Sequence, residues 1–291
     1  MGIFDAIFQG FVQGLTEFLP VSSSGHLSLV QYFTGNSGDS GFLFSILLHA
    51  GTLIAVCLVF WRTILELFLE FFYMIGDIFR GRFSFSTMPA ARRMLLMLIV
   101  STLPLGLMLL FKDAVARFSQ DNDIVVEGIC FLITGTLLLM SSSCRKGWKN
   151  AKNTGIKDAL VVGAAQVAAT MPGISRSGST ISSGMMMGFE QAYAVSYSFI
   201  LGIPAVLGAI ILEVGDAVEQ GTSLPTGVVI AGLLSSALFG ILAIKLVQWV
   251  VKGNKLKYFG YYTIALGVLT VCLGIFEMVS GHQIQQFFSS L

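Results

Sequence analysis

The sequence predicts an all-α integral membrane protein, with six transmembrane helices and two re-entrant helical hairpins in an inverted-topology repeat. Three observations lead there: an apolar composition, six long apolar stretches between loops of alternating charge, and an internal match at a spacing of 153 residues. Of the 291 residues, 55% are hydrophobic and 11% are charged. An ordinary soluble domain carries roughly 25% charged residues. Mean hydropathy is +0.82. The net charge of +1 gives no basis for a nucleic-acid partner. Cys57, Cys130, Cys144 and Cys272 are scattered without a C-x-x-C pair, so neither a disulfide framework nor a zinc site is suggested. The N-terminus lacks a basic stretch and a small-residue cleavage site, so the first helix is expected to belong to the mature fold.

The six spans are expected at Phe42–Trp61, Met94–Phe111, Ile124–Met140, Ala192–Leu212, Thr226–Val251 and Tyr258–Phe276, each long enough to cross a bilayer. Pro104 and Pro204 fall inside two of them and predict kinks. Two further apolar regions are interrupted by polar residues. Ile3–Gln31 contains Gln13, Glu17, Pro20, three serines and His26, and Ala159–Gly188 contains Arg176 among serines and glycines. Each reads as helix, polar break, helix. Such a break at membrane depth is tolerated only where protein or water surrounds it.

Loop charge sets the expected orientation. Fourteen of the seventeen basic residues lie in three groups, in the loops after the first and third spans and at the end of the fifth. These become cytoplasmic by the positive-inside rule, which puts both termini outside. The repeat follows from ordered matches. Asp5-Ala6 matches Asp158-Ala159, Gly10 matches Gly163, and Gln13 matches Gln166. Ser22, Ser24 and Gly25 match Ser175, Ser177 and Gly178, with Gly35/Gly188 and Ser45/Ser198 beyond. The halves are residues 1–153 and 154–291, each one hairpin (about 3–31 and 159–188) followed by three spans. Three spans are an odd number, so the second half is inserted upside down, and the hairpins meet near the midplane.

The polar residues in those hairpins point to anion chemistry. Gln13 and Glu17 share one helix face at i and i+4. Ser22, Ser23, Ser24 and His26 follow, and a helix beginning there offers free N–H groups to an anion. Arg176 stands among Ser175, Ser177 and Thr180 at the start of another helix. A fixed cation at the bilayer centre costs about 2.5–3.5 kcal/mol, which an anionic ligand offsets. An Arg176–Glu17 ion pair is the alternative use of that cation, and it is compatible with a ligand-free site. His49 and His282 read as structural. There is no Walker motif, no dinucleotide fingerprint and no cage of several carboxylates.

Gln13-x-x-x-Glu17 followed by Phe-Leu-Pro-Val-Ser-Ser-Ser-Gly-His26, with Pro172-Gly-x-Ser-Arg-Ser-x-x-Thr180, resembles both signatures of the undecaprenyl-diphosphate phosphatases, the bacitracin-resistance family. The resemblance covers the whole chain. It implies a hydrolase of the bacterial inner membrane that converts undecaprenyl diphosphate to undecaprenyl phosphate and phosphate. That recycles the carrier for peptidoglycan and cell-wall synthesis and confers bacitracin resistance. A polyprenyl-phosphate flippase is the alternative function. By position, the resemblance makes Glu17, Ser23, His26 and Arg176 catalytic, and Gln13, Ser22, Ser24, Ser175, Ser177 and Thr180 phosphate-binding. It implies a divalent cation, Mg2+ or Ca2+, with Glu17 as a ligand, and a site facing the periplasm. Many members carry a glutamate where this chain has Gln13, so Glu17 is expected to carry more of the proton or metal chemistry. The oligomeric state is left open, with a homodimer as one arrangement.

Overall fold

The computed structural model describes residues 2–34, 39–85, 87–107, 124–171, 173–219, 224–253 and 255–289. Among these the regular elements are all helices. In chain order they are α1 (Ile3–Phe18), α2 (Ser23–Thr34), α3 (Asp39–Val59), α4 (Trp61–Phe79), α5 (Ala90–Leu107) and α6 (Val125–Ser142). Then follow α7 (Ile156–Ala168), α8 (Arg176–Met186), α9 (Gln191–Glu219), α10 (Thr226–Lys252), α11 (Lys257–Ser280) and α12 (Gln283–Ser289). Four helices are long and apolar enough to cross a membrane: Val125–Ser142, Gln191–Ile211, Thr226–Lys252 and Lys257–Ser280. Leu43–Val59 and Trp61–Phe79 qualify as a fifth span only if counted together, and they are bent by 84°. This is a multi-pass helical membrane protein. The expected span Met94–Phe111 lies in α5 as far as Leu107, and its remainder falls outside the described residues. Pro104 and Pro204 sit inside α5 and α9, which continue through them.

Both interrupted regions are helix, break, helix. α1 begins where the Asp5 carboxylate accepts from the Gly2 N–H at 2.9 Å. α7 begins in the same way, with Asp158 accepting from the Gly155 N–H at 3.0 Å. A carboxylate in the first turn satisfies an orphan N–H and complements the helix dipole. α1 stops before Pro20, which disfavours helical geometry in the residue preceding it. The chain then turns through Ser22 at φ 72°. The second break turns through Gly173 at φ +86°, where an added Cβ would also lie 2.8 Å from the Cys130 Cβ. Only glycine meets both demands.

The stretch between the first two expected spans is not a loop. It contains α4, a 19-residue helix. Leu67 and Met74 are buried on one side, while Phe68, Phe72 and Phe79 are exposed. Arg62, Glu66, Glu70 and Asp77 interrupt the apolar run, so the segment does not read as a span. Arg92 ties α5 to this helix, donating to Glu70 at 2.9 Å and Asp77 at 2.7 Å.

Small residues let the long helices approach closely. Gly10 and Gly14 of α1 face Ser235, Ser236 and Gly240 of α10. Gly128 and Gly135 of α6 face Gly260, Gly267 and neighbouring residues of α11. Gly163 of α7 lies on Ser101 of α5. Close approach substitutes for the hydrophobic driving force that is missing between helices in lipid. Hydroxyls add cross-helix bonds: Ser235 to the Ile7 carbonyl at 2.8 Å, Ser236 to Leu48 at 2.7 Å, and Ser101 to Ala159 at 2.7 Å. Thus α1 rests on α10 and α7 on α5, while α3 packs on α9 between them. The main apolar core runs through Phe18, Phe60, Phe199, Leu201 and Val247. The Phe18 and Phe199 rings meet edge-on at 5.1 Å, so the core begins one residue from Glu17.

Candidate functional site

The two breaks meet. The Gly173 N–H donates to Ser24 Oγ at 3.2 Å, and Ser177 Oγ donates to the Leu19 carbonyl at 3.3 Å. The Ser175 N–H donates to Thr134 Oγ1 of α6 at 3.0 Å. These bonds hold the end of α1 against the start of α8, and Glu17, Ser23 and Arg176 lie at that junction.

Glu17 is the centre of the cluster. Its Oε2 accepts from Gln13 Nε2 at 2.9 Å and from Ser23 Oγ at 2.6 Å. His49 Nε2 of α3 stands 3.5 Å from the same oxygen. The Glu17 Oε1 pairs with Arg176 Nη2. The Glu17 side chain is 6% exposed and that of Arg176 18%. A carboxylate and a guanidinium at this depth must be paired, because either alone would be an uncompensated charge. Gln13 Oε1 is buried and has no hydrogen-bond partner among the described residues.

Arg176 is the first residue of α8. Its N-cap is Ser175, whose Oγ accepts from the Gly178 N–H at 3.0 Å. The guanidinium lies directly over Gly202 of α9, in the space that a Cβ would occupy there. A narrow cleft between α3 and α9 reaches the pair. Its lining includes Glu17 and Arg176 with Thr52, Val56, Phe199 and Val206. Polar groups that can hold an anion therefore open onto apolar walls.

Other residues named from the sequence have different partners. The Ser22 Oγ accepts from the Gly25 N–H at 3.3 Å and caps α2. His26 sits within four residues of Ser22, with Nδ1 2.7 Å from the Ser22 carbonyl and Nε2 2.7 Å from the Tyr262 hydroxyl. Neither nitrogen is hydrogen-bonded to Ser23 or Glu17. Thr180 donates to the Arg176 carbonyl at 2.8 Å and lies 2.6 Å from the Ser198 Oγ. Ser175, Ser177 and Thr180 are all buried, and their hydroxyls engage protein groups. They shape the loop that carries Arg176. Three N–H groups near it also have partners: Ser175, Gly178 and Ser179.

The sequence reading missed His49, Gly202 and Tyr262. His49, which the sequence reads as structural, stands with Nε2 3.5 Å from the central carboxylate. The available signal was a histidine in an otherwise apolar span.

The fold and the site together define a class: a multi-pass helical membrane protein with a paired carboxylate and guanidinium, and a serine hydroxyl on the carboxylate, buried where two broken helices meet. The chain belongs to the family described as bacitracin resistance protein BacA, whose pattern matches residues 6–269. An undecaprenyl-diphosphatase of Alkaliphilus metalliredigens is 41% identical over 277 residues, covering 94% of this chain and 100% of that one. A protein of the same name from Methanosphaera stadtmanae is 40% identical, covering 94% of this chain and 99% of its own length. Another from Treponema denticola is 41% identical, over 92% and 96% of the two chains.

Proposed function

We infer that this protein hydrolyses undecaprenyl diphosphate to undecaprenyl phosphate and inorganic phosphate, recycling the lipid carrier for cell-wall synthesis and conferring bacitracin resistance. One observation carries the chemistry. Ser23 Oγ lies 2.6 Å from an oxygen of Glu17 whose other oxygen is held by Arg176. A nucleophile, a proton acceptor and a phosphate anchor thus stand within one hydrogen-bonded group. In the proposed reaction Arg176 turns its guanidinium to the terminal phosphate and offsets its charge. Ser23 Oγ attacks the terminal phosphorus and its proton passes to Glu17. The bond from that phosphorus to the bridging oxygen breaks, and undecaprenyl phosphate leaves. Water then hydrolyses the phosphoserine. His26, held between Ser22 and Tyr262, fixes the turn that presents Ser23. The lipid tail lies between the membrane spans.

A divalent cation fits the donor set. Glu17 and the unpartnered Gln13 Oε1 are hard oxygen ligands, and Mg2+ commonly takes its remaining ligands from substrate phosphates and water. Among the described residues no group of three or more acidic, histidine or cysteine side chains can hold a metal. The diphosphate would supply the rest. When bound, the cation neutralises phosphate charge.

Purified protein is expected to release phosphate from a C55 prenyl diphosphate in detergent, and a chelator is expected to suppress it. Ser23→Ala should lower turnover by about three orders of magnitude, on the scale of other lost catalytic groups, and labelled phosphate should be trapped on Ser23. Near-normal turnover by Ser23→Ala would overturn the serine route in favour of water activated by Glu17.

The membrane arrangement is six spans and two re-entrant hairpins in the bacterial inner membrane, with both termini outside and the site open to the periplasm. The packing of α1 on α10 and α7 on α5 supports the repeat, because each hairpin rests on a helix of the opposite half. Cys144 is exposed in the second basic loop. A membrane-impermeant maleimide should label it only when the inner face is opened. Labelling of intact cells would reverse the orientation.

A further inference from the structure

α3 and α9 pack against one another and occupy corresponding places in the two halves. At the repeat spacing, His49 of α3 corresponds to Gly202 of α9, and Ser23 to Arg176. The sizes are exchanged. The first half pairs a small Ser23 with a large His49, and the second pairs a large Arg176 with a glycine. Gly202 clears the space that the Arg176 guanidinium fills. Both large groups reach the same carboxylate from opposite sides, Arg176 at Oε1 and His49 at Oε2.

Ser45 and Ser198 stand at corresponding places on α3 and α9, with different contacts. His49 Nδ1 lies 2.8 Å from the Ser45 carbonyl, one turn back on α3. At the corresponding place on α9, the Ser198 Oγ lies 2.6 Å from Thr180, which in turn donates to the Arg176 carbonyl. The Ser45 carbonyl and the Glu17 carboxylate are both acceptors, and each faces one nitrogen of the His49 ring. At 3.5 Å the second contact is within ion-pair range.

We propose that His49 is a positioning residue for this site, a donor that works with Arg176 to hold Glu17 with Oε2 aimed at Ser23. A carboxylate held at Oε1 alone can rotate about its terminal torsion, which is broad and roughly two-fold. The second donor removes that freedom. The proposal rests on the phosphatase reading and assigns to it a residue from a helix outside both hairpins.

The test compares His49→Leu, His49→Ala and His49→Gln with the unaltered protein and with Glu17→Ala, by steady-state phosphate release and thermal melting in detergent. His49→Leu is expected to lower kcat by about 100-fold, the scale on which a small misplacement of a reacting group acts. KM should change less than about three-fold, since the anion anchor is untouched. His49→Gln, which keeps an N–H donor, is expected to recover most of the loss at an unchanged melting temperature. His49→Ala serves if the leucine protein does not fold, and added imidazole should then raise its rate. Near-normal kcat in the leucine or alanine protein overturns the proposal. So does a glutamine protein as slow as leucine, which would make ring shape the cause. If the unaltered protein releases no phosphate, the phosphatase reading and this proposal fall together. If Glu17→Ala is inactive and His49→Leu is not, only this proposal falls.

Discussion

Arg176→Ala is expected to lower phosphate release by at least about 10²–10³-fold, the cost of removing a preorganised charge-stabilising donor. The physical reason is double. The guanidinium is the one fixed cation on Glu17 among the described residues, and in the proposed reaction it receives the terminal phosphate. Its loss also leaves the Glu17 carboxylate, 6% exposed, facing only His49 and neutral donors. Breaking a buried pair by removing one partner destabilises by about 3–5 kcal/mol. The variant should therefore melt earlier as well as turn over more slowly. Arg176→Lys should recover part of the stability and little of the rate, because an ammonium lacks the planar fork that meets carboxylate and phosphate oxygens. An Arg176→Ala protein within threefold of the normal rate would remove Arg176 from the chemistry.

Gly202→Ala is expected to approach Arg176→Ala in its effect on rate, although it adds a single methyl group. The new Cβ would fall on the guanidinium itself. Arg176 must then leave Glu17, or α9 must shift away from α8. Alanine is otherwise the better helix former by about 1 kcal/mol, so propensity opposes the predicted loss. Gly208→Ala on the same helix is the control, because nothing lies near its Cβ position, and it should be neutral or slightly stabilising. If Gly202 acts through Arg176, the Gly202→Ala/Arg176→Ala double variant should be no slower than Arg176→Ala alone. Additive losses would show that Gly202 acts elsewhere.

Much of the site was legible because burying charge in an apolar chain needs a reason. Glu17 and Arg176 stand out against their surroundings, and an ion pair between them was the alternative to anion binding by Arg176. The breaks were legible from Pro20, the serines and Gly173, which cannot continue a helix comfortably. α4 was not, because a helix with one exposed apolar face and several charges resembles neither a clean span nor a polar loop. The partners of the hydroxyl row were not legible. Ser175, Ser177 and Thr180 look like phosphate ligands in a linear sequence. Buried hydroxyls must find acceptors somewhere, and here the protein itself supplies them.

The sequence alone determined the membrane class, the two broken helices and which charged side chains lie within them. These depend on local chemistry: how many apolar residues run together, where a turn residue interrupts them, and which side chains carry charge. Tertiary structure alone decided the partners. It turned His26 toward Tyr262 and brought His49 from α3 to Glu17. It also laid Arg176 over Gly202, 26 residues further along the chain. Those contacts arise where helices cross, and a crossing depends on how small residues on several helices fit together. Spacing along one chain does not specify that fit.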